Sequence, residues 1–308
     1  MTWFIYAILA AILMTFINFG DKFVVESQIP NPLALIIFLS WFNLLIGFIL
    51  WLFLGFETLP LNQGLILILA GTAPGFAGYF YFQAVARTET TRIVILSQLT
   101  PIFTLVLSMI FLQETLTLTQ FAGFALILVA AIAVTLQKTK TEIGEVVEPI
   151  WGVLFLMVMT NLIYAGSLIL ADSVVEAVIT DLRSLLLVTA YFSLGYWIGG
   201  LILYLLIPKV RKSFEQHRKT AGIKAVLSLS GVESIFVIRQ VVLFLALTLG
   251  PVSLVSVIGS LNVFFAIIFG WILTLWQPHI FKEDISRSNL VNKFMWAALA
   301  FIGIILVR

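Results

Sequence analysis

The chain has 308 residues, of which 61% are hydrophobic and 10% charged, with a formal net charge of +2. Soluble domains carry roughly a quarter charged residues, so there is too little polar surface here to cover a globule, and so small a charge balance does not point to nucleic acid. Cysteine is absent, which excludes disulfides, zinc–thiolate sites and iron–sulfur clusters; the two histidines, His217 and His279, fall in polar connections, and no metal or other cofactor is expected.

A helix needs about 20 apolar residues to cross the hydrocarbon of a bilayer. Apolar stretches of that size recur near 3–24, 32–55, 64–86, 91–112, 118–137, 150–171, 184–207, 222–248, 251–276 and 290–307. They are too long and too uniformly apolar for barrel strands. The opening "MTWFIYAILAAILMTFINFG" has no positive n-region and no clear cleavage site, and is taken as a retained first helix. That span carries Asn18 at depth. Asp21 and Lys22 fall near its boundary, where capping, orientation and loop salt bridges explain them, as they do Glu114 and Glu283. The third span contains "GYFYFQ", in which Tyr79 and Gln83 are four apart and share a face. That face is expected to turn inward, with an aromatic girdle at the membrane interface as the alternative. "GTAPG" at Gly71–Gly75 and "GYWIG" at Gly195–Gly199 are small-xxx-small patterns that imply close helix packing. Pro74 and Pro101 each remove a helical hydrogen bond and are hinge candidates. Gln98 and Thr100 lie in the fourth span, Asn161 and Tyr164 in the sixth, Glu233, Arg239 and Gln240 in the eighth, Ser260 and Asn262 in the ninth.

Of the 17 Lys and Arg, nearly all fall in connections after odd-numbered spans, including Lys22, Arg87, Arg92, Lys138, Lys209, Arg218, Lys282 and Lys293. The opposite face holds only Arg183 and Arg308. The positive-inside rule places the basic face in the cytoplasm and both termini outside. The basic run "KVRKSFEQHRKTAGIK" does this orienting, with lipid or regulator binding as a second reading.

"FQAVARTETTRIVILSQLTPIFTLVLSMIFL" from Phe82 and "FLALTLGPVSLVSVIGSLNVFFAIIFGWILT" from Phe244 share a layout: F-x-A, a tight turn, then an apolar helix with small or polar residues in its first third. The second turn is Gly250-Pro251. At one constant offset, Gln98 and Thr100 correspond to Ser260 and Asn262. Residues 1–137 then form one five-span repeat, 138–149 a cytoplasmic linker and 150–308 a second repeat. An odd number of spans inverts one repeat against the other, an arrangement that places a binding site between them near the midplane.

The stretch "SQLTPIFTLVLSMIFLQETLTLTQFAGFALILVAAIAVTL", with Pro101, Glu114 and Gly123, resembles the EamA-like ten-helix branch of the drug/metabolite transporter superfamily. "NFGDKFVVE" and the long "WQPHIFKEDISRSNLVNK" hairpin are similar to one of its subgroups, while Val263 and Trp276 stand where the pattern's proline and glutamate would recur. The resemblance implies an all-α integral membrane protein of ten transmembrane helices in two inverted repeats. It also implies a central cavity lined by helices 1, 3, 4, 6, 8 and 9, and transport of small metabolites, amino acids or drugs, often outward. The expected location is the inner (plasma) membrane of a prokaryote.

Glu233 lies roughly 16 Å and Arg239 roughly 25 Å along the eighth span at 1.5 Å per residue. Charge at that depth costs on the order of 3 kcal/mol. Three readings stay open: each charge pairs with a partner on another helix and fixes packing, both line a cavity and meet a polar or zwitterionic substrate, or Glu233 exchanges a proton as coupling residue. The spacing places Glu233 and Gln240 on one stripe with Arg239 at its flank. The substrate-cavity candidates are Asn18, Tyr79, Gln83, Gln98, Thr100, Asn161, Tyr164, Glu233, Arg239, Gln240, Ser260 and Asn262. No G-x-x-x-x-G-K-[ST], H-E-x-x-H or G-x-S-x-G occurs, so the leading expectation is a secondary transporter in which the halves rock about a midplane site. It would move a small polar or amphipathic metabolite, with a proton as the simplest coupled ion. A lipid-handling protein or non-transporting membrane subunit is the alternative, and an intramembrane enzyme the remotest. Substrate and membrane lipid are the expected partners; oligomeric state is left open.

Overall fold

The computed structural model describes residues 2–29, 31–112, 117–136, 150–219, 222–250, 252–281 and 286–307. Glu114, Pro251, Lys282, Glu283, Arg308 and the proposed linker 138–149, with Lys138, lie outside them. Among the described residues the chain is all-helical: α1 Thr2–Ser27, α2 Pro32–Phe53, α3 Leu61–Val85, α4 Thr90–Leu96, α5 Leu99–Leu112, α6 Leu118–Leu136, α7 Ile150–Val178, α8 Leu182–Leu206, α9 Pro208–Arg218, α10 Ile223–Leu249, α11 Val252–Gly259, α12 Asn262–Trp276 and α13 Arg287–Val307. Seven helical stretches are long and apolar enough to cross a membrane, counting Thr90–Phe111 as one. The outward faces of α2 and α12 expose Leu45, Phe48, Ile49 and Leu52, and Trp271, Ile272 and Leu275, as side chains bathed in acyl chains do.

The fourth and ninth spans are not continuous. Each breaks midway, between α4 and α5 and between α11 and α12. The first break is a consequence of Pro101, which has no N–H to give and whose ring crowds the carbonyl four residues back. That carbonyl, of Ser97, accepts instead from Thr100 N at 3.0 Å, and Gln98 N closes a tight turn on Ile95 O at 3.1 Å. The second break has no proline. Val263 occupies that position, and the turn closes through Leu261 N to Ile258 O at 3.0 Å. Pro74 leaves α3 continuous. The carbonyl it deprives, of Ala70, accepts from Ser167 Oγ of α7 at 2.7 Å, so a neighbouring helix replaces the lost bond.

A further helix, α9, stands where the sequence pattern suggested only a polar connection, so His217 is helical and not in a loop. Pro208 opens it at a position where no N–H is needed, and Val210 and Phe214, four apart, bury one face. Phe214 meets Phe38 edge-on at 5.0 Å between centroids. α8 begins at a capping box in which Asp181 and Ser184 exchange hydrogen bonds. The Ser184 N–H and hydroxyl hold the Asp181 carboxyl below its usual range.

Three of the basic residues assigned to loops are buried structural groups. Lys22 lies inside α1, and its Nζ donates to Val85 O at 2.9 Å and Thr88 O at 3.0 Å and pairs with Glu26 at 3.1 Å. It neutralises the negative C-terminal end of α3. Arg92 is buried in α4. Lys293 of α13 forms a buried ion pair with Glu89 at 2.6 Å. Lys22 turns inward to satisfy carbonyls and Lys293 to pair with a carboxylate, which charge counting along a sequence does not register.

The two glycine patterns meet each other. A Cβ at Gly71 or Gly75 would collide with the backbone of Phe192 or Tyr196, and one at Gly195 or Gly199 with that of Ile68 or Thr72. α3 and α8 are thus backbone against backbone at the centre of the bundle. Replacing Gly195 by Ala forces the helices apart at the Ile68 carbonyl. We expect it to destabilise the protein by about 1–3 kcal/mol, read as a lowered unfolding temperature in detergent. Gly166→Ala, whose Cβ meets nothing within 4 Å, should be neutral or stabilising by up to about 1 kcal/mol.

Candidate functional site

A cavity of about 170 Å³ lies along the bundle axis, walled by α1, α3, α5, α7, α10 and α11 with the two breaks. One water needs on the order of 10–15 Å³ of such space, so this is a chamber for a small molecule and not a packing flaw. Its wall runs down α1 from Ala7 to Asp21 and down α10 from Leu247 to Val232. Beyond Asp21 the basic end is filled by an apolar cluster that includes Val24, Val25, Val85 and Leu229, with the Lys22 and Lys293 contacts around it. The cavity is sealed on that side.

The breaks create the polar part of the wall. Gln98 Nε2 donates to Asn262 Oδ1 at 3.2 Å, joining the two broken spans across the repeats. Asn161 of α7 splints the first break: its Nδ2 donates to Leu96 O at 3.2 Å, and its Oδ1 accepts from Thr100 Oγ1 at 2.6 Å. Thr15 of α1 stands beside the second, its Oγ1 3.1 Å from Ala11 O of its own helix and 3.4 Å from Asn262 O. In each case the contact comes from a helix of the other half of the chain.

Glu233 and Arg239 both face the cavity, and neither is neutralised by an opposite charge. The Glu233 carboxylate, 2% exposed, accepts from Asn43 Nδ2 of α2 through one oxygen. Arg239 Nη1 donates to Tyr164 OH and, at 3.3 Å, to Gln240 Oε1, and its guanidinium carbon stands 5.8 Å from the centre of the Tyr164 ring. No salt bridge to either group occurs among the described residues.

Of the anticipated cavity residues, Gln98, Thr100, Asn161, Tyr164, Glu233, Arg239, Ser260 and Asn262 line the chamber, as do Pro74 and Pro101. Four do not. Tyr79 and Gln83 miss it because the stripe of α3 that faces inward is Pro74, Ala77, Gly78 and Tyr81, at spacings of three and four. Gln83 Nε2 instead donates to the Tyr79 carbonyl of its own helix at 2.7 Å. Asn18 and Gln240 are buried behind the wall as partners of Tyr81 and Arg239. Conversely, Asp21, Tyr81 and Tyr196 line the cavity although nothing in the sequence singled them out as cavity groups. The sequence signal for Asp21 was its position one helical stripe below Asn18, and for Tyr81 the inward stripe that begins at Pro74.

Residues 1–136 match the EamA-like transporter family. A comparison with curated proteins finds no match. One crystal structure of a protein superposes with a TM-score of 0.56 at 14% identity, covering 99% of this chain and 96% of that one; the likeness is one of fold.

Asn161→Ala should strand the buried Leu96 carbonyl and Thr100 hydroxyl and cost about 1–3 kcal/mol. Thr160→Ala, which loses only a bond to Leu156 O of its own helix, should cost less than about 0.5 kcal/mol. Denaturant unfolding of the purified protein separates the two.

Proposed function

We propose that this chain, whose residues 1–136 match the EamA-like transporter family, is a secondary transporter that moves a small polar or amphipathic metabolite by alternating access. The observation that carries this is the axial cavity, closed at one end, whose wall joins both broken spans and holds two unneutralised charges at depth. Intramembrane ionisable groups normally face protein interiors or wet cavities and mark substrate or ion paths. The repeats would be 1–137 and 150–308. Orientation by the positive-inside rule makes the sealed end cytoplasmic and the described conformation outward-facing, with export as the expected direction. The breaks at Ser97–Gln98 and Ser260–Leu261 are the natural flexing points. Pro101 sits beside the first, whereas Pro74 is stapled by Ser167 and serves packing.

Glu233 is the candidate for proton coupling. It is buried, lines the cavity, and has a neutral amide and no cation as its partner, so gaining or losing a proton changes the charge of the wall directly. Substrate binding would involve Gln98, Thr100, Asn161, Tyr164, Arg239, Ser260 and Asn262, with Arg239 held by Tyr164 as the anion-facing group.

Glu233→Gln keeps the shape of the side chain and removes its charge. Reconstituted into liposomes with an imposed pH gradient, this variant should lose gradient-driven uptake of a metabolite that the unaltered protein takes up, while substrate exchange without a gradient persists. Uptake that follows the gradient as well as in the unaltered protein would remove Glu233 from the coupling role.

A further inference from the structure

Asp21 was expected at a membrane boundary. Instead it is 6% exposed and lines the sealed end of the cavity. It and Glu233 rise from adjoining backbone: a Cβ on Gly20 would stand 2.7 Å from Cγ2 of Val232, and each carboxylate belongs to the next residue along its helix. Two acids thus share one end of the chamber. The lining's one guanidinium, Arg239, is farther along α10; its Nη1 is taken by Tyr164 and Gln240, and its Nε is buried with no partner among the described residues.

The hydrogen-bond inventory of this region is short of donors. Tyr81 OH lies 3.0 Å from Asp21 Oδ2 and 3.0 Å from Asn18 Oδ1, yet a phenol has one proton to donate. Only one Glu233 oxygen is taken, by Asn43. Higher in the same wall, Gln98 Oε1 is buried with no partner at all, and Gln98 is itself 2% exposed. A buried acceptor left without a donor is destabilising. A group that brings several N–H donors and a positive charge would satisfy these acceptors together, and the rings of Tyr81, Phe82, Tyr196 and Phe236 in the surrounding wall attract a cation through their faces.

We propose that the sealed end of the cavity is a subsite for a protonated primary amine, held between the carboxylates of Asp21 and Glu233 with Tyr81 as positioning donor to Asp21. This deepens the transporter reading of the same chamber and rests on it for its biological use, though binding itself does not require transport. An ammonium supplies three donors and one charge to a site with two carboxylates, and a neutral alcohol of the same shape supplies one donor and no charge.

The test uses the purified full-length chain in detergent, with n-butylammonium and benzylammonium as probes and n-butanol and benzyl alcohol as neutral counterparts of the same shape. The amines should raise the unfolding temperature saturably, as a ligand of the native state must, and the alcohols should not. Asp21→Asn should weaken amine binding by about tenfold or more, the scale of a lost charge-assisted hydrogen bond. Asp21→Glu, which keeps the charge, should retain part of the affinity and guards against a fold defect in the first variant. Equal responses to amines and alcohols, unchanged amine affinity in Asp21→Asn, or stabilisation that follows pH but ignores the amines would each overturn the subsite. If the amines fail while gradient-driven uptake still depends on Glu233, only the subsite falls. If they bind but no solute crosses liposomes, the subsite stands and the transporter reading falls.

Discussion

A polypeptide broken in the middle of a bilayer leaves carbonyl and amide groups where no water can reach them, and each needs a partner from the protein itself. This chain contains two such breaks, placed at equivalent points of its repeats, and the rest of the central architecture is arranged around them. Asn161 splints one and Thr15 stands against the other, while Gln98 and Asn262 tie them together. The partners come from opposite repeats in each case, so neither broken span is complete without the other half of the chain. Polar residues drawn to the axis for this purpose give the cavity its hydrogen-bonding wall. The proposed function and the fold therefore rest on the same side chains.

The two deep charges are tolerable for a related reason. Glu233 and Arg239 avoid each other and are each held by a neutral polar group from a different helix, Asn43 and Tyr164. A mutual ion pair would cancel the field of the chamber, as buried pairs do when they serve packing. Kept apart, the charges leave the sealed end acidic and the middle basic, which is a polarity a ligand can sense. The buried lysines that are neutralised, Lys22 by Glu26 and Lys293 by Glu89, lie outside the chamber's lining.

Much of this was legible before any coordinates. Apolar length reveals membrane helices, and the repeat offset that equates Gln98 with Ser260 and Thr100 with Asn262 located both breaks without naming them as breaks. The glycine motifs announced a close seam and form one. Rotational phase was less legible. Tyr79 and Gln83 share a face as the spacing demands, but only packing decides which face is inward, and Gly78 and Tyr81 carry it. Charged residues near helix ends were likewise ambiguous, because Asp21 and Lys22 are adjacent in sequence yet one faces a cavity and the other caps a helix. The amphipathic α9 was hidden by its own charge, since two buried residues, Val210 and Phe214, are too few to outweigh a basic run. The resemblance of the first half to a transporter family added a class of function that no single residue could supply.

The seam between α3 and α8 bears on how such a molecule could move. Gly71, Gly75, Gly195 and Gly199 leave no side-chain cushion between the two backbones, and packed interfaces of this kind shift between discrete arrangements more readily than they slide. α2 adds to the same block, with Gly47 against Ser193 and Gly200 against Ser40. Helices from both repeats are thereby welded into one rigid plate. The mechanical bodies of this protein do not coincide with its sequence halves. A displacement that uncovers the sealed end has to run through α1, α10 and the broken spans, sweeping past a stationary plate as a door moves against its frame.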